Sequence, residues 1–157
     1  MSEGKYSKYI VTDLKKEIKL PGFRAGEVLT GLPPGQRRRM NHIIWMDDEV
    51  VPGSSIYSEL VWFFPDKMIN VEQINRGGGP KAHAHPFSEI ITFFGTNYDN
   101  PEELGAEVEL WLEGEQYVLD RSFLCFVPAG MEHCPLYLRN VQRPVFHFTI
   151  GPGSQYR

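Results

Sequence analysis

Glycine and proline interrupt this chain at short intervals, and this spacing limits what it can fold into. The 15 glycines and 12 prolines separate stretches that are too short for long helices. Those stretches are rich in Val, Ile, Phe, Tyr and Trp, which favour strands. Many short strands between turn residues are typical of a β-sandwich or barrel, so we predict an all-β fold. The predicted strands are 41–46, 56–64, 68–74, 80–85, 89–94, 106–112, 115–119, 122–127, 133–139 and 144–150.

A compositional break near residues 31–39, "GLPPGQRRR", divides the chain. We expect residues 1–36 to form an N-terminal arm across a strand-rich body of residues 37–157. Helical structure is expected only as short pieces, around Val11–Glu17 and as a turn at Asn100–Leu104. The arginines at 37–39 fit either a phosphate-binding patch or a solvated turn that protects an edge strand, and the second interpretation is favoured.

Size and charge restrict the class of protein. A chain of 157 residues and 18.0 kDa suffices for one domain with its own hydrophobic core. A formal charge of -4 and a pI near 5.7 argue against nucleic acid or an anionic membrane as a partner. The sequence has neither an apolar run of the ~20 residues that span a bilayer nor a secretory signal at its start. We therefore expect a cytoplasmic protein, in which Cys125 and Cys134 are buried thiols.

The segment "KAHAHPFSE", residues 81–89, concentrates residues that bind metals. Residues two apart on a strand share a face, so His83 and His85 can direct both imidazoles to one point. Pro86 ends the strand, and the resulting turn brings Glu89 back toward the same centre. Two imidazoles and a carboxylate suit Fe(II), Mn(II) or Zn(II) with positions left open for exchange.

A second segment, "VPAGMEHCPLY", supplies a fourth ligand. A proline–glycine turn precedes His133, which we expect to project from a facing strand into the same cavity. Cys134 is adjacent but should point to the opposite face, since neighbouring strand residues alternate.

These residues resemble the two motifs of the cupin superfamily. The first motif is matched by Gly77, His83, His85, Glu89 and Gly95, with one spacing shorter by a residue. The second is matched by Pro128, Gly130 and His133, with Ser122 and Tyr137 where the family has glycine and asparagine. The resemblance covers residues 70–150 and all four metal-ligand positions. It implies a double-stranded β-helix, or jelly-roll barrel, holding one divalent ion (Mn, Fe, Zn or Ni).

The resemblance also implies two classes of function. In the first, the protein is a metal-dependent enzyme, an isomerase, lyase or dioxygenase, acting on a small oxygen-rich metabolite. His147 and Tyr137 are then candidates for proton transfer. In the second, the protein binds a sugar or small metabolite without turnover, with the ion as an anchor. Cupins that only bind a ligand often carry an attached DNA-binding or catalytic domain. The residues outside the barrel are too few for such a domain, so the enzyme is favoured. The resemblance also implies a homodimer, because cupins of this size often pair through sheet edges and exchanged arms.

Overall fold

The computed structural model describes residues 4–27, 29–72 and 79–152. Eight strands and three short 3-10 turns make up the regular structure of this part of the chain. The strands are β1 (Met40–Met46), β2 (Ile56–Phe63), β3 (Glu89–Phe94), β4 (Glu103–Leu112), β5 (Glu115–Arg121), β6 (Phe123–Val127), β7 (His133–Arg139) and β8 (Val145–Pro152). The 3-10 turns are Ser7–Tyr9, Gly22–Arg24 and Asp66–Met68.

The strands form two antiparallel sheets. One sheet has five strands in the order β1-β2-β8-β3-β6, and the other has three in the order β5-β4-β7. Alternate residues of the strands are buried, most clearly in β4 and β8, so each sheet turns an apolar face toward the other. The main core lies between these faces and consists of Val61, Phe63, Ile91, Phe93, Leu104, Ala106, Val108, Leu110, Val127 and Val145.

This architecture confirms the predicted all-β jelly-roll fold, with one refinement. The described strands form two separate sheets packed as a sandwich, and no continuous ladder closes them into a barrel.

Two glycines show how tightly the connections are built. A Cβ on Gly95 would lie 1.9 Å from the Glu103 carbonyl oxygen, and Gly114 adopts a φ of 77° at the β4–β5 hairpin tip.

Two of the predicted strands are wrong. Residues 80–85 form no strand, and only His83 makes an isolated bridge. Pro80 and Pro86 lack the N–H donors that a ladder would need at both ends. In 68–74, residues 69–72 lack strand structure, and positions 73 and 74 lie outside the described residues. Gly77 of the first motif also lies outside them.

The arm contains no helix at Val11–Glu17, contrary to the prediction. Apolar side chains of the arm instead pack, partly buried, against a second core built from Leu29, Trp45 and Tyr57. Leu14, Ile18, Leu20 and Phe23 make these contacts, and tertiary packing of this kind overrides local helix propensity. The turn predicted near Asn100 is present.

In the described part of the chain, no helix is long and apolar enough to cross a membrane.

Candidate metal centre

Main-chain hydrogen bonds hold the two motifs together. The N–H of His83 donates to the His133 carbonyl at 3.0 Å, and the His133 N–H donates back at 2.9 Å. The Gly130 N–H donates to the His85 carbonyl at 2.9 Å. The segment 83–85 is therefore fixed against the start of β7 without being a strand itself.

The turn before His133 depends on Gly130. The Met131 N–H donates to the Pro128 carbonyl at 3.1 Å, which closes a four-residue turn. Gly130 is the third residue of this turn and has a φ of 82°, a conformation that suits glycine in a type II turn. The Pro-x-Gly pattern of the sequence thus sets where β7 begins.

Each of the three clustered histidines is oriented by a main-chain carbonyl. Nδ1 of His83 lies 2.6 Å from the Lys81 oxygen, and Nδ1 of His85 lies 2.7 Å from the Phe87 oxygen. Nδ1 of His133 lies 3.0 Å from the Met131 oxygen. A carbonyl can only accept, so Nδ1 carries the proton in all three rings. Their Nε2 atoms are left as the metal-binding lone pairs.

The three rings converge on one point together with a carboxylate. One ligand atom from each of His83, His85 and His133 lies within 4.8 Å of the others. Oε2 of Glu89 lies 3.3 Å from Nε2 of His85 and 3.1 Å from Nε2 of His133. We call these four residues the histidine cluster. His85, Glu89 and His133 are buried, and His83 is half-buried.

Burial and mutual contact shift the pKa values in this cluster. Burial lowers the pKa of His83 to about 4. Burial also opposes the charged form of His85, but the hydrogen bond to Glu89 and its charge raise the pKa of His85. Burial would raise the pKa of Glu89, yet the hydrogen bonds from His133 and His85 hold it below its usual value. The carboxylate is therefore ionised and depends on a positive partner.

The donor set fits a divalent metal ion. With Nδ1 protonated, a neutral imidazole offers only a lone pair at Nε2, so two such lone pairs facing one carboxylate need a proton or a cation between them. Three imidazoles and one carboxylate are ligands for Mn(II), Fe(II), Zn(II) and Ni(II). His83, His85, Glu89 and His133 are the residues that would hold such an ion.

Two phenylalanine rings flank the cluster, and sequence reasoning missed both. Phe23 of the arm stacks on His83 at a centroid distance of 3.8 Å and an angle of 12°. Phe87 stacks on His85 at 3.9 Å and 7°. Phe87 could have been suspected from its place two residues after His85, whereas nothing in the sequence links Phe23 to His83. The two rings restrict how the imidazoles can turn.

A second buried polar group lies at the root of the arm and was also missed. Arg24 contacts Glu27 at 2.6 Å and Glu59 at 2.9 Å, and its Nη1 lies 3.5 Å from the Tyr57 hydroxyl. Nε2 of His42 lies 3.4 Å from Glu59. We call these five residues the arginine cluster. Burial would raise the pKa of Glu59, but the Arg24 charge and the His42 hydrogen bond hold it well below its usual range.

The structure does not bring His147 to the histidine cluster. His147 lies opposite Phe93, which is four residues along β3 from Glu89, a separation of about 13 Å along a strand. Its Nδ1–H donates to the Thr92 carbonyl at 2.7 Å, and Nε2 lies 3.3 Å from the Thr149 hydroxyl. Burial lowers the pKa of His147 to about 4. This histidine is therefore neutral, with both nitrogens engaged.

Tyr137 and Cys134 also lie apart from the ligand set. Tyr137 is exposed on β7, with the Arg139 guanidinium 5.2 Å from its ring centre, so its hydroxyl is not presented to the cluster. Cys134 is buried. Burial and the Glu89 charge raise the pKa of Cys134 to about 12, which keeps this thiol protonated and unsuited to binding a metal.

Comparisons with known proteins find similarity in structure only. The chain matches no protein-family model and no curated protein sequence. A cupin 2 domain-containing protein from Halorhodospira halophila aligns with 76% of this chain and 66% of its own, at 11% identity and a TM-score of 0.47. An RmlC-like cupin from Shewanella frigidimarina aligns with 63% of this chain and 68% of its own, at 18% identity and a TM-score of 0.36.

A third similar structure is much longer than the aligned part. A DMSP lyase from Ruegeria pomeroyi aligns with 63% of this chain but only 39% of its own, at 22% identity and a TM-score of 0.35. The two motifs resemble those of the cupin superfamily, and they lie where the two facing sheets bring the three histidines together.

Proposed function

We propose that the protein is a metal-dependent enzyme acting on a small oxygen-rich metabolite, by isomerase, lyase or dioxygenase chemistry. The observation that supports this proposal is the shared orientation of three imidazoles. Each is fixed by a carbonyl through Nδ1, so that each Nε2 is available near one buried carboxylate. A histidine kept only for packing does not need this common orientation.

His83, His85, Glu89 and His133 would hold the ion. When bound, such an ion polarises a substrate oxygen and stabilises negative charge that develops on it. Glu89 supplies the one negative charge of the ligand set, which favours a divalent cation over a proton on the neighbouring rings. The carbonyl bonds to Nδ1 raise the basicity of each ring and hold its direction.

The flanking rings of Phe23 and Phe87 limit the space beside the ligands. They cover the faces of His83 and His85 and exclude water from those sides, which strengthens electrostatic contacts inside. With two ring faces covered, the space beside the metal-binding nitrogens suits a small substrate that binds through hydroxyl or carboxylate oxygens. The role of His147 as a proton carrier stays a prediction. His147 lies about 13 Å along the strand from the histidine cluster, so a proton could pass between them only through intervening water.

Elemental analysis of protein purified without an affinity tag tests the metal. We expect about one divalent ion per chain and its loss in His83→Ala, since a four-ligand site binds strongly only when complete. A content below about 0.2 ion per chain in the wild type would contradict the proposal. Glu89→Gln keeps the shape but removes the charge, so it should fold normally and bind the ion more weakly.

Turnover separates the enzyme from a binding protein. The loaded protein is incubated with hydroxy acids, sugar derivatives and enediols, with and without oxygen, beside His83→Ala. Metal-dependent conversion that is lost in the variant supports the enzyme. Tight binding of one of these compounds without conversion in either atmosphere would assign the protein to the non-catalytic class.

A further inference from the structure

The indole of Trp62 differs from those of the other two tryptophans in the chain. Nε1–H of Trp45 donates to the Asp47 carboxylate at 2.9 Å, and Nε1–H of Trp111 donates to the Glu109 carboxylate at 3.1 Å. Trp62 is half-buried on β2, and its N–H donates to no acceptor in the part of the chain that the structure describes. Indole N–H groups in such positions usually have a hydrogen-bond partner, so Trp62 keeps a donor available to a bound molecule.

Arg143 differs from the other described arginines in the same way. The guanidinium groups of those arginines each bind a carboxylate, a carbonyl or a hydroxyl; they are Arg24, Arg37, Arg38, Arg39, Arg121 and Arg139. Arg143 is exposed and, among the described residues, makes neither an ion pair nor a hydrogen bond through its guanidinium. Its stem packs against Gly105, where an added Cβ would lie 3.3 Å from Cβ of Arg143. The stem is therefore packed, while the charged end has no partner within these residues.

These two unpaired donors border the same cleft. The cleft has a volume of about 400 Å³ and is lined by Trp62, Phe64, Thr96, Tyr98, Arg143 and Pro144. The Thr96 hydroxyl donates to the Pro144 carbonyl at 2.6 Å, which fixes the loop after β3 against the start of β8. The Trp62 ring lies 5.0 Å from the Phe146 ring and 6.3 Å from the Phe64 ring, measured between centroids. Packed aromatic rings thus hold one wall of the cleft in place.

The lining of this cleft suits an organic anion with a flat ring. Its single charged side chain is the Arg143 guanidinium, although the chain as a whole has a net charge of -4. A guanidinium matches the planar geometry of a carboxylate with two parallel N–H donors. Trp62, Phe64 and Tyr98 offer flat apolar surfaces to a ring, and Tyr98 is 91% exposed. The volume is at the lower end of ligand-binding cavities, about 300–1,000 Å³, so the ligand should be small.

The cleft is separate from the metal centre. Glu89 of the histidine cluster begins β3 and Phe94 ends it, a separation of about 16 Å along a strand. Thr96 lies two residues beyond Phe94, so the cleft opens past the far end of β3. A molecule bound there would not contact the histidine cluster, and its binding does not depend on the proposed function.

We propose that this cleft binds a small planar molecule that carries a carboxylate. The guanidinium of Arg143 holds the carboxylate, and the side chains of Trp62, Phe64 and Tyr98 contact the ring. The indole N–H of Trp62 supplies a further donor to the bound molecule. The protein therefore has a second ligand site at the end of the sandwich opposite the histidine cluster.

Nuclear magnetic resonance of the ¹⁵N-labelled full chain, titrated with benzoate, tests the proposal. The three tryptophans give separate indole N–H signals, and Trp62→Phe identifies the one from Trp62. That signal should shift and saturate with a dissociation constant of about 1 mM, whereas those of Trp45 and Trp111, which already donate to carboxylates, should stay unchanged. Benzamide, which keeps the ring but lacks the charge, and acetate, which keeps the charge but lacks the ring, should each bind at least about 10-fold more weakly.

Arg143→Gln should weaken benzoate binding at least about 10-fold while leaving the Trp62 signal in place as a probe. Arg143 is exposed, so the variant should fold, and its spectrum verifies this. The matched control is Arg121→Gln, at an exposed arginine that pairs with Glu102, and this variant should bind benzoate as the wild type does.

Three results would overturn the proposal. The first is a Trp62 signal that does not respond to benzoate up to about 10 mM, well above the expected dissociation constant. The second is equal binding of benzoate and benzamide, or of benzoate by the wild type and the folded Arg143→Gln. The third is a Trp62 signal that moves only when the protein itself is diluted, since this would show that a second copy of the chain covers the cleft.

Discussion

The histidine cluster and the arginine cluster both bury carboxylates, but they neutralise them differently. In the arginine cluster, Arg24 supplies a permanent positive charge between Glu27 and Glu59. In the histidine cluster, the ion-pair contacts of Glu89 within the described residues are with the imidazoles of His85 and His133, which are positive only when protonated. One cluster contains its own cation, and the other offers three histidine nitrogens that could hold one.

The difference shows how structure and binding are separated in this molecule. An ion pair that is complete within the chain holds one geometry whether or not a metal ion is bound. A carboxylate that lacks a permanent partner keeps a site ready for a metal ion at a cost in stability. Adjacent arm residues join the two, because Arg24 enters the arginine cluster while Phe23 covers His83. The arm is therefore part of both regions.

Removal of Arg24 should have the largest effect. Arg24→Met leaves Glu27 and Glu59 buried without a cation, which typically costs about 3–5 kcal/mol. We expect urea unfolding to show this loss in both the metal-loaded and the chelated protein. The double variant Arg24→Met/Glu59→Gln serves as the control and should recover part of the loss. A change below about 1 kcal/mol in the single variant would show that the pair contributes no more than a surface contact.

Removal of the metal should have a smaller effect. At an ion concentration near 100 times its dissociation constant, binding stabilises the folded state by about 2.7 kcal/mol. For a domain of this size, chelation should then lower the melting temperature by about 5–10 °C. Calorimetry with and without chelator measures the shift, and the metal-free protein should remain folded on its own core. Unfolding at room temperature on chelation would make the ion structural and argue against a catalytic role.

The sequence could predict the contents of the histidine cluster but not those of the arginine cluster. His83, His85, Glu89 and His133 stand at spacings that strand periodicity and turns bring together. Arg24 and Glu59 are far apart in sequence and carry no motif, so only the folded arm reveals their contact. The strand predicted at 80–85 was wrong because Pro80 and Pro86 restrict pairing to the single bridge between His83 and His133.

The third effect concerns pH and a histidine outside both clusters. His147 has a pKa of about 4 in the folded protein, below its ordinary value, so the unfolded chain binds more protons in the window between them. Stability therefore rises with pH in this window and is lost as pH falls through it, by about 2 kcal/mol between pH 7 and 4.5. Carboxylates with a lowered pKa, such as Glu59, begin to lose their contribution only at the lower end of this window, where the unfolded chain takes up their protons.

Urea unfolding measures this contribution when the chelated wild type and chelated His147→Gln are compared at pH 7 and at pH 4.5. Glutamine retains an N–H donor for the Thr92 carbonyl but does not titrate. The variant should lose about 2 kcal/mol less than the wild type over this range. An equal loss in both proteins would assign the pH dependence to other groups, with His83 of the histidine cluster the first to test, because its pKa is also about 4.

The smallest effect should come from Phe23, where the two regions meet. Its ring lies nearly parallel to His83, and contacts of this kind contribute about 0.5–1.5 kcal/mol. Phe23→Leu keeps an apolar side chain but removes the flat face, so His83 should gain freedom to turn and metal affinity should fall by about 2- to 10-fold. Titration with a competing chelator measures the affinity, and Tyr9→Leu, on an exposed arm aromatic, is the control. The urea stability of metal-free Phe23→Leu should fall by no more than about 1.5 kcal/mol, because Arg24 still anchors the arm. An affinity equal to that of Tyr9→Leu would mean that Phe23 covers the ligand without ordering it, and that the arm affects the metal centre only through Arg24.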